Sequence, residues 1–196
     1  RRLIRRLDSN SEMALLDLAT GTGDLAIAAA LRTKATITAT DIAEKMMEEG
    51  KRKVERRDLH GRITFIRAEA ESLPFQDASF DTAMVAFGVR NFWDLEKGLR
   101  EIRRVLKPGG RVLVLEFSMP RNSFLRMIYR TYFGKVLPLI GRIVSKHNEA
   151  YNYLPDSVQQ FPYGDALVCI LKTAGFVNAD YKSLSGGIAM LYEAEA

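Results

Sequence analysis

Acidic and glycine residues that could hold a ligand are concentrated in residues 15–26. Asp17 ends a short apolar run, Gly21 and Gly23 form a Gly-x-Gly pair, and Asp24 opens a segment of small and apolar residues. This order is typical of a strand, a tight turn and a helix. Glycines let a ligand approach the backbone closely, and the first N–H groups of the helix point towards the turn. Residues 15–26 therefore predict a site for a nucleotide-like ligand.

The acidic side chains favour one ligand over another. The dinucleotide fingerprint Gly-x-Gly-x-x-Gly needs a third glycine where Ala26 stands, and a pyrophosphate would face the carboxylates of Asp17 and Asp24. S-adenosylmethionine carries an amino group and a sulfonium and no phosphate, so it fits an acidic turn better. A lone Gly-x-Gly pair also occurs as a plain turn of α/β proteins, so the rest of the chain has to decide.

A second acidic residue follows the next predicted strand. Asp41 ends a β-branched run about 18 residues after the glycine pair, near the offset at which βαβ folds bind the ribose hydroxyls. An N-cap of the helix predicted over residues 43–57 is the alternative role. Of Met46 and Met47 on this helix, one is expected to contact the adenosine and the other to lie in the core.

Two loops at later strand ends supply further candidates. The loop 68–75 follows a predicted strand at residues 62–67. In this loop Glu69 would accept a hydrogen bond from the adenine amino group, and the Ala70 N–H would donate one to a ring nitrogen. A plain surface loop is the alternative. Residues 80–87 form a nearly continuous apolar run, typical of a central parallel strand. Arg90 and Asn91 follow this run in an otherwise apolar neighbourhood.

These residues require a sheet that brings several strand ends to one edge. The alternation of strands and helices, ending in a hairpin, predicts an α/β fold: a doubly wound, mostly parallel sheet of seven strands with helices on both faces and the last strand antiparallel. Helices are expected over residues 24–32, 43–57, 95–106 and 165–174, and the hairpin strands near 176–184 and 188–194.

Length and composition favour one domain over residues 1–196, because 47% hydrophobic residues can bury one sizeable core. With one cysteine and two histidines we expect no metal site and a reducing, cytoplasmic setting. No apolar run approaches the ~20 residues that span a membrane. The net charge of +5 is assigned to solvated helix faces rather than to nucleic-acid binding.

The apolar stripe over residues 123–144 is interleaved with basic residues. We interpret it either as buried packing or as a lid over a lipophilic substrate, within a lid-like insertion at about residues 120–163. Residues 1–7 have the pattern of the end of a helix with no start signal before it, so a preceding segment is expected.

Several motifs together resemble the class I methyltransferases that use S-adenosylmethionine: the glycine turn, Asp41, the loop 68–75 and the Lys-Pro-Gly-Gly turn at residues 107–110. Four others are similar to the ubiquinone/menaquinone biosynthesis C-methyltransferase family. They are Phe-Gly-Val-Arg-Asn-Phe at 87–92, Leu-Glu-Phe-Ser at 115–118, the Val-Leu-Pro bend at 136–138, and the Tyr-x-Tyr-Leu block with Phe-Pro at 151–162.

The resemblance implies transfer of a methyl group from S-adenosylmethionine to a ring carbon of a polyprenylated quinol, demethylmenaquinol or 2-polyprenyl-6-methoxy-1,4-benzoquinol, with S-adenosylhomocysteine as product. The expected cofactor contacts are Asp17, Ala19, Thr20, Gly21, Thr22, Gly23, Asp41, Ile42, Met46, Glu69, Ala70, Ala86 and Phe87. The residues expected to line the quinol pocket are Arg90, Asn91, Tyr151 and Tyr153.

Methylation of carbon requires a phenolate, which pushes charge onto the neighbouring carbon. Because guanidinium stays protonated, Arg90 is expected to lower the phenol pKa and to hold the phenolate, while a water or a side chain such as His147 takes the proton. The chain departs from the family at Glu69, where Asn or Asp is usual, and at the triplet Ser145-Lys146-His147, where Ala-Asn-Asp is common. The family's amino-terminal Tyr-Asp-x-Met-Asn block is expected to be missing.

Two other functions stay open: a class I methyltransferase for another lipophilic acceptor, and a non-catalytic protein that binds S-adenosylmethionine. A nicotinamide oxidoreductase is disfavoured by the absent third glycine. The expected partners are a lipophilic quinol and, peripherally, the inner membrane face; a homodimer is left open.

Overall fold

The computed structural model describes residues 1–9, 12–120, 127, 157–158 and 160–196. Within these residues seven strands form one sheet: β1 (Ala14–Leu18), β2 (Thr36–Asp41), β3 (Ile63–Arg67), β4 (Phe80–Ala86), β5 (Leu106–Phe117), β6 (Val177–Leu184) and β7 (Ala189–Glu195). Their order is β3-β2-β1-β4-β5-β7-β6. The first five strands pair in parallel, whereas β7 is antiparallel to both β5 and β6. The predicted sheet with its last strand reversed is confirmed.

The four described α-helices are α1 (Asp24–Ala30), α2 (Glu44–Glu55), α3 (Leu95–Val105) and α4 (Asp165–Thr173). Each ends one or two residues earlier than the sequence pattern predicts. The predicted helix at residues 1–7 is instead a short 3-10 helix, Ile4–Arg6. Two further 3-10 turns, Val89–Asn91 and Ser185–Gly187, follow β4 and β6.

Successive residues of the central strands face two apolar layers. Leu15 of β1 packs with Ile27 of α1 on one face, and Leu16 packs with Leu99 of α3 on the other. Both leucines are fully buried, which contributes about 1.5–3 kcal/mol each. This alternation places helices on both faces and confirms the doubly wound architecture.

The Lys-Pro-Gly-Gly sequence, predicted as a turn before β5, is a bulge inside β5. Leu106 pairs with Phe80, and the next pair is Arg111 with Thr82, so four residues of β5 lie opposite one residue of β4. Gly109 makes this possible because its φ of +75° is in the left-handed region.

The strand order reverses beside β1, which has β2 on one side and β4 on the other. Ligands of doubly wound sheets bind beyond the carboxyl strand ends at such a point. The loops after β1 and β4 meet there closely: a Cβ on Gly88 would lie 2.4 Å from the Cβ of Ala19. The two loops therefore depend on a glycine to form one wall.

Two expectations concern residues outside this description. The lid-like insertion at about residues 120–163 falls mostly on residues that are not described, so it stays a prediction, as does the single domain.

Within the described part of the chain, no helix is long and apolar enough to cross a membrane.

Candidate active site

A cleft of about 730 Å³ opens at the carboxyl ends of β1, β2 and β4. It brings together most of the predicted cofactor residues and one predicted acceptor residue. These are Ala19, Thr20, Gly21, Thr22, Asp41, Ile42, Met46, Ala70, Ala86, Phe87 and Asn91. Asp17, Gly23, Glu69 and Arg90 do not line it. Tyr151, Tyr153 and His147 lie outside the described residues.

The glycine turn is built from left-handed backbone. Gly21 and Gly23 have φ of +57° and +74°, and Ala19 adopts +50° despite its side chain. Gly23 also permits close packing, since a Cβ there would lie 2.9 Å from the Phe65 ring. Gly21 N donates to Asp41 Oδ2 at 2.7 Å, which ties the turn to the end of β2. The shape of the turn is thus fixed by contacts within the protein.

Asp17 does not line the cleft, but it is buried beneath the glycine turn and hydrogen-bonds to Thr20. It is 1% exposed, and its Oδ2 accepts from the Thr20 hydroxyl at 2.6 Å. Burial raises its pKa to about 7, although the Thr20 hydroxyl and the nearby Ala26 N–H act in the opposite direction. Near neutral pH this side chain is therefore partly protonated. Its predicted direct contact with the cofactor stays a prediction.

The charge of Asp24 is compensated by a lysine that the sequence analysis missed. Lys53 Nζ, on α2, donates to Thr22 Oγ1 at 2.7 Å and to Asp24 Oδ1 at 3.0 Å. Desolvation acts to raise the pKa of Asp24, but the hydrogen bonds and charge of Lys53 outweigh it and lower that pKa. With Asp17 partly neutral and Asp24 paired, the turn is less acidic than its sequence indicates. Nothing in the residue spacing marks Lys53, because it comes from another helix.

Asp41 is not the N-cap of α2, which is Ala43 without a side-chain cap hydrogen bond, and its ribose contact stays a prediction. Its Oδ1 accepts from Ala43 N at 2.8 Å, just before α2, while Oδ2 holds Gly21. An ionised carboxylate offers about four acceptor positions, so two remain for hydroxyls. Because Asp41 also lines the cleft, it fits the vicinal hydroxyls of a ribose.

The loop after β3 presents a different acidic residue from the predicted one. Ala70 and Glu71 line the cleft, whereas Glu69 forms an isolated β-bridge with Ser72. Glu71 Oε1 also accepts from Asp94 N at 3.2 Å, which connects this loop to the start of α3. The adenine contact of Glu69 stays a prediction, and Glu71 is an added candidate.

The loop after β4 places two of the predicted acceptor residues in different cavities. Asn91 lines the cleft, whereas Arg90 lines a separate cavity of about 320 Å³ beside Phe92, Trp93 and Phe161. The Arg90 Nη1 donates to Glu116 Oε1 at 2.7 Å. Arg90 therefore lies behind the cleft wall, with its charge balanced by a carboxylate.

Glu116 is a site residue that the sequence analysis noted only as part of a motif. Its side chain is fully buried at the end of β5. Burial raises its pKa, while the Arg90 charge and hydrogen bonds from Phe117 N and Arg90 lower it; burial prevails. A lone charged residue in the apolar stretch of β5 was the signal that could have marked it.

Among the described residues, no group of three or more His, Cys, Asp or Glu side chains could hold a metal ion. The cleft fits S-adenosylmethionine on two observations: the glycine turn permits close backbone approach, and Asp41 has acceptor capacity to spare for a ribose.

This sheet order, with a cleft at the carboxyl ends of β1, β2 and β4, is the fold of the class I S-adenosylmethionine-dependent methyltransferases. An S-adenosylmethionine-dependent methyltransferase from Aquifex aeolicus shares the fold, with a TM-score of 0.72 and 19% identity over 99% of this chain and 87% of that chain. The [4+2]-cyclase SpnF shares it too, with a TM-score of 0.75 and 19% identity over 99% and 79%. Since SpnF is named as a cyclase, the fold by itself does not define the reaction.

Sequence comparison identifies the family. The model of the ubiE/COQ5 methyltransferase family matches residues 1–195, and the chain belongs to this family. It is 47% identical to the ubiquinone/menaquinone biosynthesis C-methyltransferase UbiE of Geotalea daltonii, over 92% of this chain and 77% of that protein. It is 45% identical to the demethylmenaquinone methyltransferase of Thermus thermophilus, over 91% and 80%.

Proposed function

We propose that this protein methylates a ring carbon of a polyprenylated quinol in the biosynthesis of respiratory quinones. The observation that carries the proposal is the position of the family-specific loop after β4. Phe87 and Asn91 of this loop line the same cleft as the glycine turn. Relatives named as ubiquinone/menaquinone and demethylmenaquinone methyltransferases support a quinol as the acceptor.

The cofactor end of the cleft is assigned to the loops after β1, β2 and β3. Asp41 would accept from the ribose hydroxyls, Thr22 would hold the methionine end, and Ala70 N–H would face the adenine. When bound, S-adenosylmethionine supplies an electrophilic methyl group on its sulfonium. The protein then has to place a nucleophilic carbon in line and to exclude water.

The acceptor end is assigned to the loop after β4. Phe87, expected from the sequence to contact the cofactor, would form an apolar wall shared by both ends together with Phe92, and the Asn91 amide would orient a quinol oxygen. Proton loss from that hydroxyl makes the neighbouring ring carbon nucleophilic. The predicted contacts of Tyr151 and Tyr153 with the quinol, and of His147 as base, belong to this proposal. Arg90, which was expected from the sequence to hold the phenolate, does not line the cleft and is not assigned a contact with the quinol.

A polyprenyl acceptor is dissolved in a membrane, so peripheral contact with the inner membrane face is part of the proposal. The test is sedimentation with anionic vesicles, with and without quinone. Equal partitioning under both conditions would argue against membrane contact.

The decisive experiment supplies both quinols, a demethylnaphthoquinol and a benzoquinol, together with methyl-labelled S-adenosylmethionine. Mass spectrometry should find one labelled methyl group on a ring carbon of at least one product. Transfer to a sterol or simple phenol but to neither quinol would favour the alternative acceptor class. Cofactor binding without a single turnover on any acceptor would indicate a non-catalytic binding protein.

A further inference from the structure

Arg90 and Glu116 form the most deeply buried ion pair among the described residues, with side chains 11% and 0% exposed. Taking two charges out of water costs several kcal/mol per ion, and an apolar pair of similar volume is often as stable. A gain in folding stability therefore does not explain why Arg90 and Glu116 are paired in the interior.

Glu116 binds both the side chain and the main chain of Arg90. Its Oε1 accepts from Arg90 Nη1 at 2.7 Å and from Phe117 N at 2.8 Å, and its Oε2 accepts from Arg90 N at 3.3 Å. The same Nη1 also donates to the carbonyl oxygen of Phe87. Glu116 thus holds Arg90 at the end of the turn, and the Arg90 guanidinium in turn holds Phe87 at its start.

This turn contains a strained residue. Phe87 has φ of +59°, a conformation that is unfavourable for a non-glycine residue and persists only where the surroundings impose it. Three contacts do so: its N–H donates to Leu115 O at 2.7 Å, its ring stacks on Phe117 at 4.3 Å, and its carbonyl accepts from Arg90. The Arg90 guanidinium lies 5.3 Å from the centre of that Phe117 ring.

The front of the same turn is the acceptor wall of the cleft, since Phe87 and Asn91 line it. We propose that Glu116 is a positioning residue that acts through Arg90, and that the pair holds Phe87 and Asn91 in the geometry that places the acceptor. In this arrangement the Arg90 charge is used inside the turn and not on the acceptor. The kinetic test of this positioning role rests on the proposed function, whereas its structural test requires no methyl transfer.

The kinetic test compares Glu116→Gln, Arg90→Gln and the double variant, with Glu193→Gln as the matched control. Glu193 also pairs with an arginine of β5, Arg111, at 3.0 Å, but it does not line the cleft. Glu116→Gln leaves Arg90 without its counter-charge, so the turn should shift and kcat should fall about 100-fold. The cofactor Kd should change much less, by about three-fold or less, because Phe87 is only one of the expected cofactor contacts and the loops after β1 and β2 are unchanged. Glu193→Gln should match the wild type.

The double variant separates positioning from direct contact. Two glutamines carry no buried charge and can hydrogen-bond to each other, so the double variant should recover about ten-fold in kcat over Glu116→Gln. A direct contact between Arg90 and the acceptor predicts instead that the double variant is as inactive as Arg90→Gln, and this result would overturn the proposal. Unchanged kcat in Glu116→Gln would also overturn it.

The structural test needs no acceptor. Trp93 is the sole tryptophan of the chain, is 97% exposed and lies two residues after Asn91, so its fluorescence anisotropy reports on the turn. Anisotropy should fall in folded Glu116→Gln and stay unchanged in Glu193→Gln. If Glu116→Gln does not fold, Glu116→Asp replaces it: this side chain keeps the charge but is one methylene shorter, so it should lose contact with Arg90, and the anisotropy should fall as well. A fall in anisotropy with no quinol turnover in the wild type would refute the proposed function while supporting the positioning role, and unchanged anisotropy would refute the latter.

Discussion

The Gly88→Ala substitution tests whether the contact between the loops after β1 and β4 shapes the cleft. Gly88 has φ of −120°, a value open to any residue, so the effect of the substitution is purely steric. The added Cβ would lie 2.4 Å from the Cβ of Ala19, whereas carbon atoms pack at about 3.5–4.0 Å. The two loops must therefore separate by about 1 Å or more.

Neither atom of this contact can move without its backbone, because a Cβ is bonded directly to the main chain. Overpacking of this kind costs about 1–3 kcal/mol. Since both loops line the cofactor cleft, part of this cost should appear in binding, and one tenfold change in affinity corresponds to about 1.4 kcal/mol. We expect the Kd for S-adenosylhomocysteine to rise about ten-fold and the melting temperature to fall by several degrees.

Calorimetric titration and thermal unfolding measure these two effects, and Ala19→Gly in the Gly88→Ala background is the control. Removing the Ala19 Cβ opens the contact, and glycine suits the φ of +50° at this position. The double variant should regain most of the lost affinity. Normal binding by Gly88→Ala alone, or no recovery in the double variant, would refute the role assigned to this contact.

Two further predictions concern the acids near the glycine turn. Asp41→Ala should raise the cofactor Kd about ten-fold or more, since hydrogen bonds to charged groups contribute about 1.5–3 kcal/mol. Turnover at saturating cofactor should be largely kept, and the exposed Glu44→Ala variant is the control. A defect confined to kcat would contradict the ribose role. Asp17 has its pKa raised from 3.8 to about 7, so its contribution to stability is complete below the unfolded pKa and is lost as pH rises through the folded value. The wild type minus Asp17→Asn difference in unfolding free energy should therefore fall by roughly 2–3 kcal/mol between about pH 5 and about pH 8 in urea titrations, and a difference independent of pH would contradict the shift.

The fold could be predicted because its signals are local. The apolar runs, the glycine pair and the helix patterns each lie within a few residues of chain, and together they give the number and direction of the strands. The bulge in β5 was less predictable, because the local pattern of Lys-Pro-Gly-Gly predicts a turn. These four residues belong to β5 only because Leu106, which precedes them, pairs with Phe80 of β4.

The site was partly predictable for the same reason. Gly21, Asp41 and Asn91 follow strand ends, and parallel pairing brings strand ends to one edge whatever the details of packing. The partners that set charge and shape could not be predicted in this way. Lys53 reaches Thr22 from another helix, and Glu116 reaches Arg90 across two neighbouring strands.

The sequence alone thus determined the class of fold, the family and the edge of the sheet where the cleft opens, since these depend on residue types and their order. Tertiary structure decided what the charges do there. Burial raises the pKa of Asp17 to about 7, Lys53 compensates the charge of Asp24, and Glu116 binds Arg90, which does not line the cleft. Desolvation and pairing act between residues distant in sequence, so they exist only once the chain is folded.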